Sequence, residues 1–248
     1  MATLGEWPDN VFRIWMPENL QPLWDNWEAD AAHQNFVRTK TSGLRWSYQQ
    51  RPEATVEAEV TPNHQTLLLK CRVTNRSSSN LLDVRTTHCI QLSLAPDFAC
   101  GDFSRLFIRT GGQWRSLGSL SPHSDYPHYF RTDRRSGGQV GMRGDMSRLY
   151  EDAKADYPLM VCVSKDGCRS IGTASDDFRY LFHNRANEHL WCIHSQQMPI
   201  AALAPGNTVE FRQRVYFANR GLDKCIAAYE ANPMQESTIT AIAESTPC

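Results

Sequence analysis

The side chains best suited to chemistry in this sequence are its histidines, which take or give a proton near neutral pH. The densest group is His183, His189 and His194 in FHNRANEHLWCIHSQ, and a fourth, His88, stands in TTHCIQL. If Phe178 to Asn184 pairs with His189 to Gln196, a turn over Arg185 to Glu188 brings His183 close to His189. His194 is an odd number of residues from His189 and so faces the other side of a regular strand. That parity, and the lack of any C-x-x-C spacing, leave no metal site assigned and no cofactor expected. The expected chemistry is instead proton transfer by His88 with His183 or His194 on one sheet. Such a pair wants an acidic partner, and Asp176, Asp177 and Asp125 are the candidates, each equally readable as a solvated turn carboxylate.

Arginines form the second constellation. Arg105, Arg109 and Arg115 surround Gly111-Gly112 beside Trp114, while Arg131, Arg134 and Arg135 crowd a polar stretch with Tyr126, Tyr129 and His128. Guanidinium groups among aromatic rings suit an acidic or hydroxyl-rich ligand. Arg109, Trp114, His128, Tyr129 and Arg131 are therefore the candidate ligand-binding residues, against the plainer reading of a solvated charged face.

The composition excludes several classes. In 248 residues, 26 basic side chains balance 27 acidic ones, so nucleic acid is not an expected partner. No run approaches the length of a membrane span and the first residues lack a signal-peptide pattern, so the expectation is a cytoplasmic protein without a membrane partner. Several of the eight cysteines fall within apolar strand-like runs, where a thiol behaves as a small hydrophobe, and mostly reduced thiols are expected. Cys162 and Cys168 are the one pair that a hairpin could bring together. No G-x-S-x-G, P-loop or dinucleotide fingerprint is present.

The elements that must position these residues are strands. From Arg45 the apolar period is two: ATVEAEVT places Val56, Ala58 and Val60 on one face and LLLKCRVTN follows, divided by turns too short for helical crossovers. LLDVRTTHCIQLSL, FSRLFIRT, LMVCV, FRYLF and EHLWCIH continue the pattern, interrupted by a long polar loop from Ser121 to Tyr157. Gly111-Gly112 marks a hairpin. In TVEFRQRVYFA, Val209, Phe211, Val215 and Phe217 fit one face with a bulge or register change near Gln213. Leu222 to Asn232 reads as a helix, as does a short stretch around Met146 to Ala155. The expectation is one all-β domain over 41–233, a large antiparallel β-sandwich. A Trp-rich N-terminal arm (1–40), helix-compatible from Pro17 to Phe36, packs on it, and a loose tail (234–248) follows. The arm's rings could instead face a sugar.

One resemblance bears on function. Val73-Thr74-Asn75, a polar turn, and then Thr87-His88-Cys89-Ile90-Gln91-Leu92 resemble the V-T-N and N-H-x-Y-F-N-L strands of the galactose mutarotase-like family, the supersandwiches. LAPGNTVEFRQRVYF, with Pro205-Gly206, is similar to a strand entry common in such sandwiches. The resemblance implies a concave sheet on which a histidine, here His88, hydrogen-bonds a sugar while a second histidine acts as general acid and a glutamate as general base. No glutamate stands in a matching motif: Glu210 lies between Val209 and Phe211, and Glu230 falls on the helix. The functional expectation is a carbohydrate-active protein, an epimerase or lyase using histidine acid/base chemistry on a small sugar or glycan. A non-catalytic carbohydrate-binding module, or an assembly domain whose arm embraces a second copy in a homodimer, are the alternatives.

Overall fold

A computed structural model describes residues 5–23, 37–40, 43–48, 52–120, 128–131, 148–149, 154–176, 178–185, 191–197 and 199–234. In chain order the first half runs β1 (Arg13–Gln21), β2 (Val37–Arg38), β3 (Leu44–Tyr48), β4 (Ala54–Asn63), β5 (Thr66–Asn75), β6 (Leu81–Gln91), β7 (Leu106–Thr110) and β8 (Gln113–Ser116). A helical turn α1 (Leu117–Leu120) leads to β9 (His128–Arg131), β10 (Arg148–Leu149), β11 (Leu159–Val163) and β12 (Arg169–Ser175). The chain then forms β13 (Phe178–Arg185), β14 (Trp191–Gln197), β15 (Ile200–Leu203), β16 (Thr208–Asn219) and the helix α2 (Gly221–Ala231).

These strands form two sheets, as an all-β sandwich requires. One has the order β2-β3-β4-β5-β16-β12-β11-β7-β8, and the other β1-β6-β14-β13-β9-β10 with β15 on part of β6. Among the described strands all pairings are antiparallel except β9 with β10. The period-two pattern explains the packing. Val56, Ala58, Leu69, Cys71 and Val73 point into the gap between the sheets, where they meet Ile90, Leu181 and Ile193 of the second sheet in one hydrophobic cluster. The alternate residues of β11, β12 and β16, among them Val161, Ala174, Tyr216 and Ala218, face outward and are covered by Cys225 and Tyr229 of α2.

Several expectations need correcting. β16 pairs with β5 in unbroken register, so no bulge falls near Gln213. Gln213 has the same parity as the apolar residues around it and simply points into the core. Pro17 to Gln21 is strand rather than helix, and Leu20 is buried from that strand; 24–36, with Trp24 and Trp27, lies outside the described residues. The N-terminal segment is woven into the body: β1 pairs with β6, and Trp7 and Phe12 pack on Phe98 and Phe217. Those two rings are buried in the protein's own core. Of the short helix expected around Met146 to Ala155, Arg148–Leu149 is strand. The Gly111-Gly112 hairpin forms as expected, with φ of 58° and 76°, the left-handed pair that a two-residue turn demands. Cys162 is buried, Cys168 exposed, and both are thiols. Among the described residues no helix is long and apolar enough to cross a membrane.

Gly172 of β12 shows how closely α2 seats. A Cβ there would stand 2.6 Å from Cys225 Sγ and 3.0 Å from a Leu159 methyl. Gly172→Ala should therefore destabilise the protein by about 1–3 kcal/mol in urea unfolding. Adding Cys225→Ala should recover part of that loss, because the nearest obstructing atom is gone.

Candidate functional site

The register of β6 against β14 decides which side of the sheet each histidine faces. His88 lies opposite Ser195 and His194 opposite Cys89, so neighbours in sequence stand on opposite faces of the sheet. β13 adds Leu181 opposite Ser195 and His183 opposite Ile193, which puts His183 on the same side as His88. That side is the core. The three histidines share a sheet but do not converge.

His88 is fully buried. Gln197 Oε1 lies 3.0 Å from its Nε2 and Thr86 Oγ1 lies 3.2 Å away, while Thr86 donates its hydroxyl to the same amide oxygen. The Gln197 amide nitrogen donates to Asp176 Oδ1 at 2.8 Å and to the Arg212 carbonyl at 2.7 Å, so its oxygen must face the imidazole and Nε2 must carry the proton. Asp176 Oδ1 also accepts the Arg212 N–H at 3.0 Å. Beside this group Ser175 donates to Ser195, and Gln213 Nε2 donates to Thr173 Oγ1 at 2.6 Å. Together these side chains form a polar layer between the sheets. Burial pushes the His88 pKa down to about 4, against smaller opposing effects of the Gln197 hydrogen bond and the Glu18 charge. His88 is thus a neutral core residue, and Asp176 is an internal carboxylate rather than a solvated turn. His183, also buried, has its ring 3.9 Å from that of Phe103.

His194 occupies the opposite face. Its ring stacks on Phe182 at 4.2 Å with an interplanar angle of 2°, and its Nε2 is 3.1 Å from Glu18 Oε2. Glu18 arrives there because the β1–β6 register shifts between Trp15 and Asn19, a bulge that aims an extra side chain over the sheet. Cys89, directly opposite His194, and Cys192, two residues before it, complete the cluster: one ligand atom from each of Cys89, Cys192 and His194 lies within 4.8 Å of the others. Burial, the Cys192 thiol and the Glu18 charge hold the Cys89 thiol well above its usual pKa. Trp15, Thr87, Gln91 and Gln196 share this face, and Gln196 donates to Thr87 Oγ1 at 2.9 Å. Two buried acceptors here, His194 Nδ1 and Gln91 Oε1, have no hydrogen-bond partner among the described residues.

The remaining candidates are divided. Arg109 and Trp114 lie on the other sheet, on its α2 side, where Arg109 stands 5.2 Å over the Tyr157 ring and Trp114 packs edge-on to it at 5.7 Å. They do not join the histidines. In β9 the register sets His128 opposite His183, Tyr129 opposite Phe182 and Arg131 opposite Tyr180; their side chains, like His189, Asp125 and Asp177, fall outside the described residues. The sequence reading missed Glu18, Cys89, Cys192 and Gln197. A signal existed for the thiols, since Cys192 and His194 have the spacing of one strand face.

No protein-family profile and no curated protein matches this chain. Solved structures do. A putative aldose 1-epimerase from Escherichia coli K12 is 12% identical, with TM-score 0.46, over 75% of this chain and 69% of its own. A galactose mutarotase related enzyme from Lactobacillus acidophilus is 7% identical, with TM-score 0.49, over 76% and 72%. A galactose mutarotase-like protein from Lactobacillus casei is 12% identical, with TM-score 0.46, over 75% and 73%. These similar structures belong to galactose mutarotase-like and aldose epimerase proteins. The likeness is distant and concerns the fold.

The buried imidazole gives a pH signature. His88 has a folded pKa of about 4 against 6.5 when free, so between those values the unfolded chain binds more protons and stability rises with pH. The contribution is complete above about pH 6.5 and lost as pH falls toward 4. Stability measured at about pH 7 and pH 4.5 should differ less in His88→Gln than in the parent, by about 2–3 kcal/mol. Equal differences would place His88 in contact with solvent.

Proposed function

We propose that this chain is a carbohydrate-active protein of the galactose mutarotase-like kind, which holds a sugar against the outer face of the seven-stranded sheet and exchanges a proton with it through His194. The observation that carries the reading is the His194–Glu18 contact at 3.1 Å on the face away from the core. A carboxylate that accepts the Nε2 proton fixes the tautomer and leaves Nδ1 as the base, the arrangement a neutral imidazole needs to take a proton from a hydroxyl or carbon.

The rest of the face supports a hydroxyl-rich ligand. An unsatisfied buried acceptor costs about 1–3 kcal/mol, and both His194 Nδ1 and Gln91 Oε1 would be satisfied by sugar O–H donors. Trp15, opposite Cys89, adds an aromatic surface of the kind on which sugar rings stack. The V-T-N and T-H strands that resemble the supersandwich motif are β5 and β6, and β6 lines this face. The role that the family gives to the histidine of the motif passes here to His194, one strand over. A cytoplasmic location belongs to the same proposal, in keeping with the described cysteines being thiols.

A second reading, a non-catalytic carbohydrate-binding module, is favoured by one observation: His194 is only 1% exposed. Incubating the protein with a panel of free aldoses, with anomer and epimer interconversion followed by NMR, separates the two. On an active sugar, Glu18→Gln and His194→Gln should each lower kcat/KM by roughly 100-fold while His88→Gln retains it. Binding of a sugar with no interconversion would establish the module instead. Turnover unaffected by either change at Glu18 or His194 would refute the site.

A further inference from the structure

The chemistry of the His194 cluster goes beyond sugar. Two thiols and an imidazole, contributed by adjacent strands of one sheet, meet within 4.8 Å at a buried point. A tetrahedral zinc-type ion with Zn–S of ~2.3 Å and Zn–N of ~2.0 Å sets its ligands roughly 3.5–3.8 Å apart, so the cluster needs only a small contraction to close on one. The cross-strand pairing makes the set rigid. Cys89 and His194 are directly opposite, and Cys192 is on the same face one pleat away. The stack on Phe182 holds the ring plane, and Glu18 holds one ring nitrogen while Nδ1 is a buried acceptor without a partner among the described residues. A carboxylate on the far nitrogen of a ligating histidine is the usual outer support of a metal-bound imidazole.

We infer that Cys89, Cys192 and His194 form a binding site for a soft divalent transition metal such as Zn²⁺, with Glu18 orienting the imidazole and an open fourth position. Two thiolates and an imidazole select zinc or cobalt over magnesium or calcium, which require oxygen ligands. Each thiol gives up its proton to solvent as the metal–sulfur bond forms, and no redox change is involved. The site itself does not depend on the sugar reading. A consequence does rest on it: an ion on the His194 lone pair withdraws that nitrogen from proton transfer, so the loaded protein binds sugar without turning it over.

Cobalt serves as the probe because a tetrahedral thiolate complex is coloured. Titration of the intact, reduced protein with Co²⁺ under an oxygen-free atmosphere should produce thiolate charge-transfer and intense visible bands, saturating at one ion per chain and bleached by Zn²⁺. Cys89→Ser and Cys192→Ser should each weaken cobalt binding at least tenfold, whereas Cys168→Ser, an exposed cysteine elsewhere, should not. If the serine variants do not fold, X-ray absorption on the zinc-loaded parent decides. It should show two sulfurs and one or two lighter atoms. Absent charge-transfer bands, bands that survive in the Cys89→Ser/Cys192→Ser double variant, or a shell of oxygen and nitrogen only would overturn the site. Failure of the sugar reading alone would show as no glycan binding by the metal-free protein, with the cobalt spectrum intact.

Discussion

The side-chain amide of Gln197 hydrogen-bonds in both directions across the gap between the sheets. Its oxygen faces Thr86 and His88 of its own sheet, and its nitrogen donates to Asp176 and to the Arg212 carbonyl, which belongs to a strand of the opposite sheet. Ser195, Ser175, Thr173 and Gln213 continue the same polar layer. In an otherwise apolar interior these groups are stable only in one mutual alignment, since breaking one contact leaves its partners buried and unsatisfied at about 1–3 kcal/mol each. The layer therefore fixes how β6 and β14 sit over β12 and β16, and with it the side of the sheet to which every histidine points.

From that alignment the division of labour follows by parity. With His88 and Ser195 inward, Cys89 and His194 must be outward. The inward group is hydrogen-bonded and kept neutral by burial. The outward group keeps a carboxylate, an imidazole and two thiols in contact, and these are the groups that can exchange protons or hold an ion. A shift of β14 by one residue would exchange the two sets.

Most of the strands were legible because half-buried strands write their burial into a period of two, as in Val56, Ala58, Leu69, Cys71 and Val73. Gln213 misled for an instructive reason. A polar residue in an apolar row reads as a break in register, yet here the row is intact, and the glutamine's amide nitrogen donates to Thr173 on the neighbouring strand β12 and to Ser195 across the gap. The segment from Pro17 misled in the other direction, since its composition is helix-compatible while Asn19 to Gln21 pair with β6. The site was half legible. His194 could be named from composition, and its opposition to His88 follows only once the register is known. Glu18 was unreadable as a partner, because it lies 176 positions from His194 and reaches it through a bulge in an edge strand whose pairing no local pattern announces.

The claim on which the account rests is that His88 is a neutral structural imidazole with its proton on Nε2. Ring-nitrogen NMR of histidine-labelled protein, assigned by comparison with His88→Gln and followed from about pH 8 to about pH 5, tests it directly. The account predicts one neutral Nε2–H signal for His88 that does not move across that range. A His88 resonance that titrates near the usual imidazole pKa, or that reports the Nδ1–H form, would contradict it.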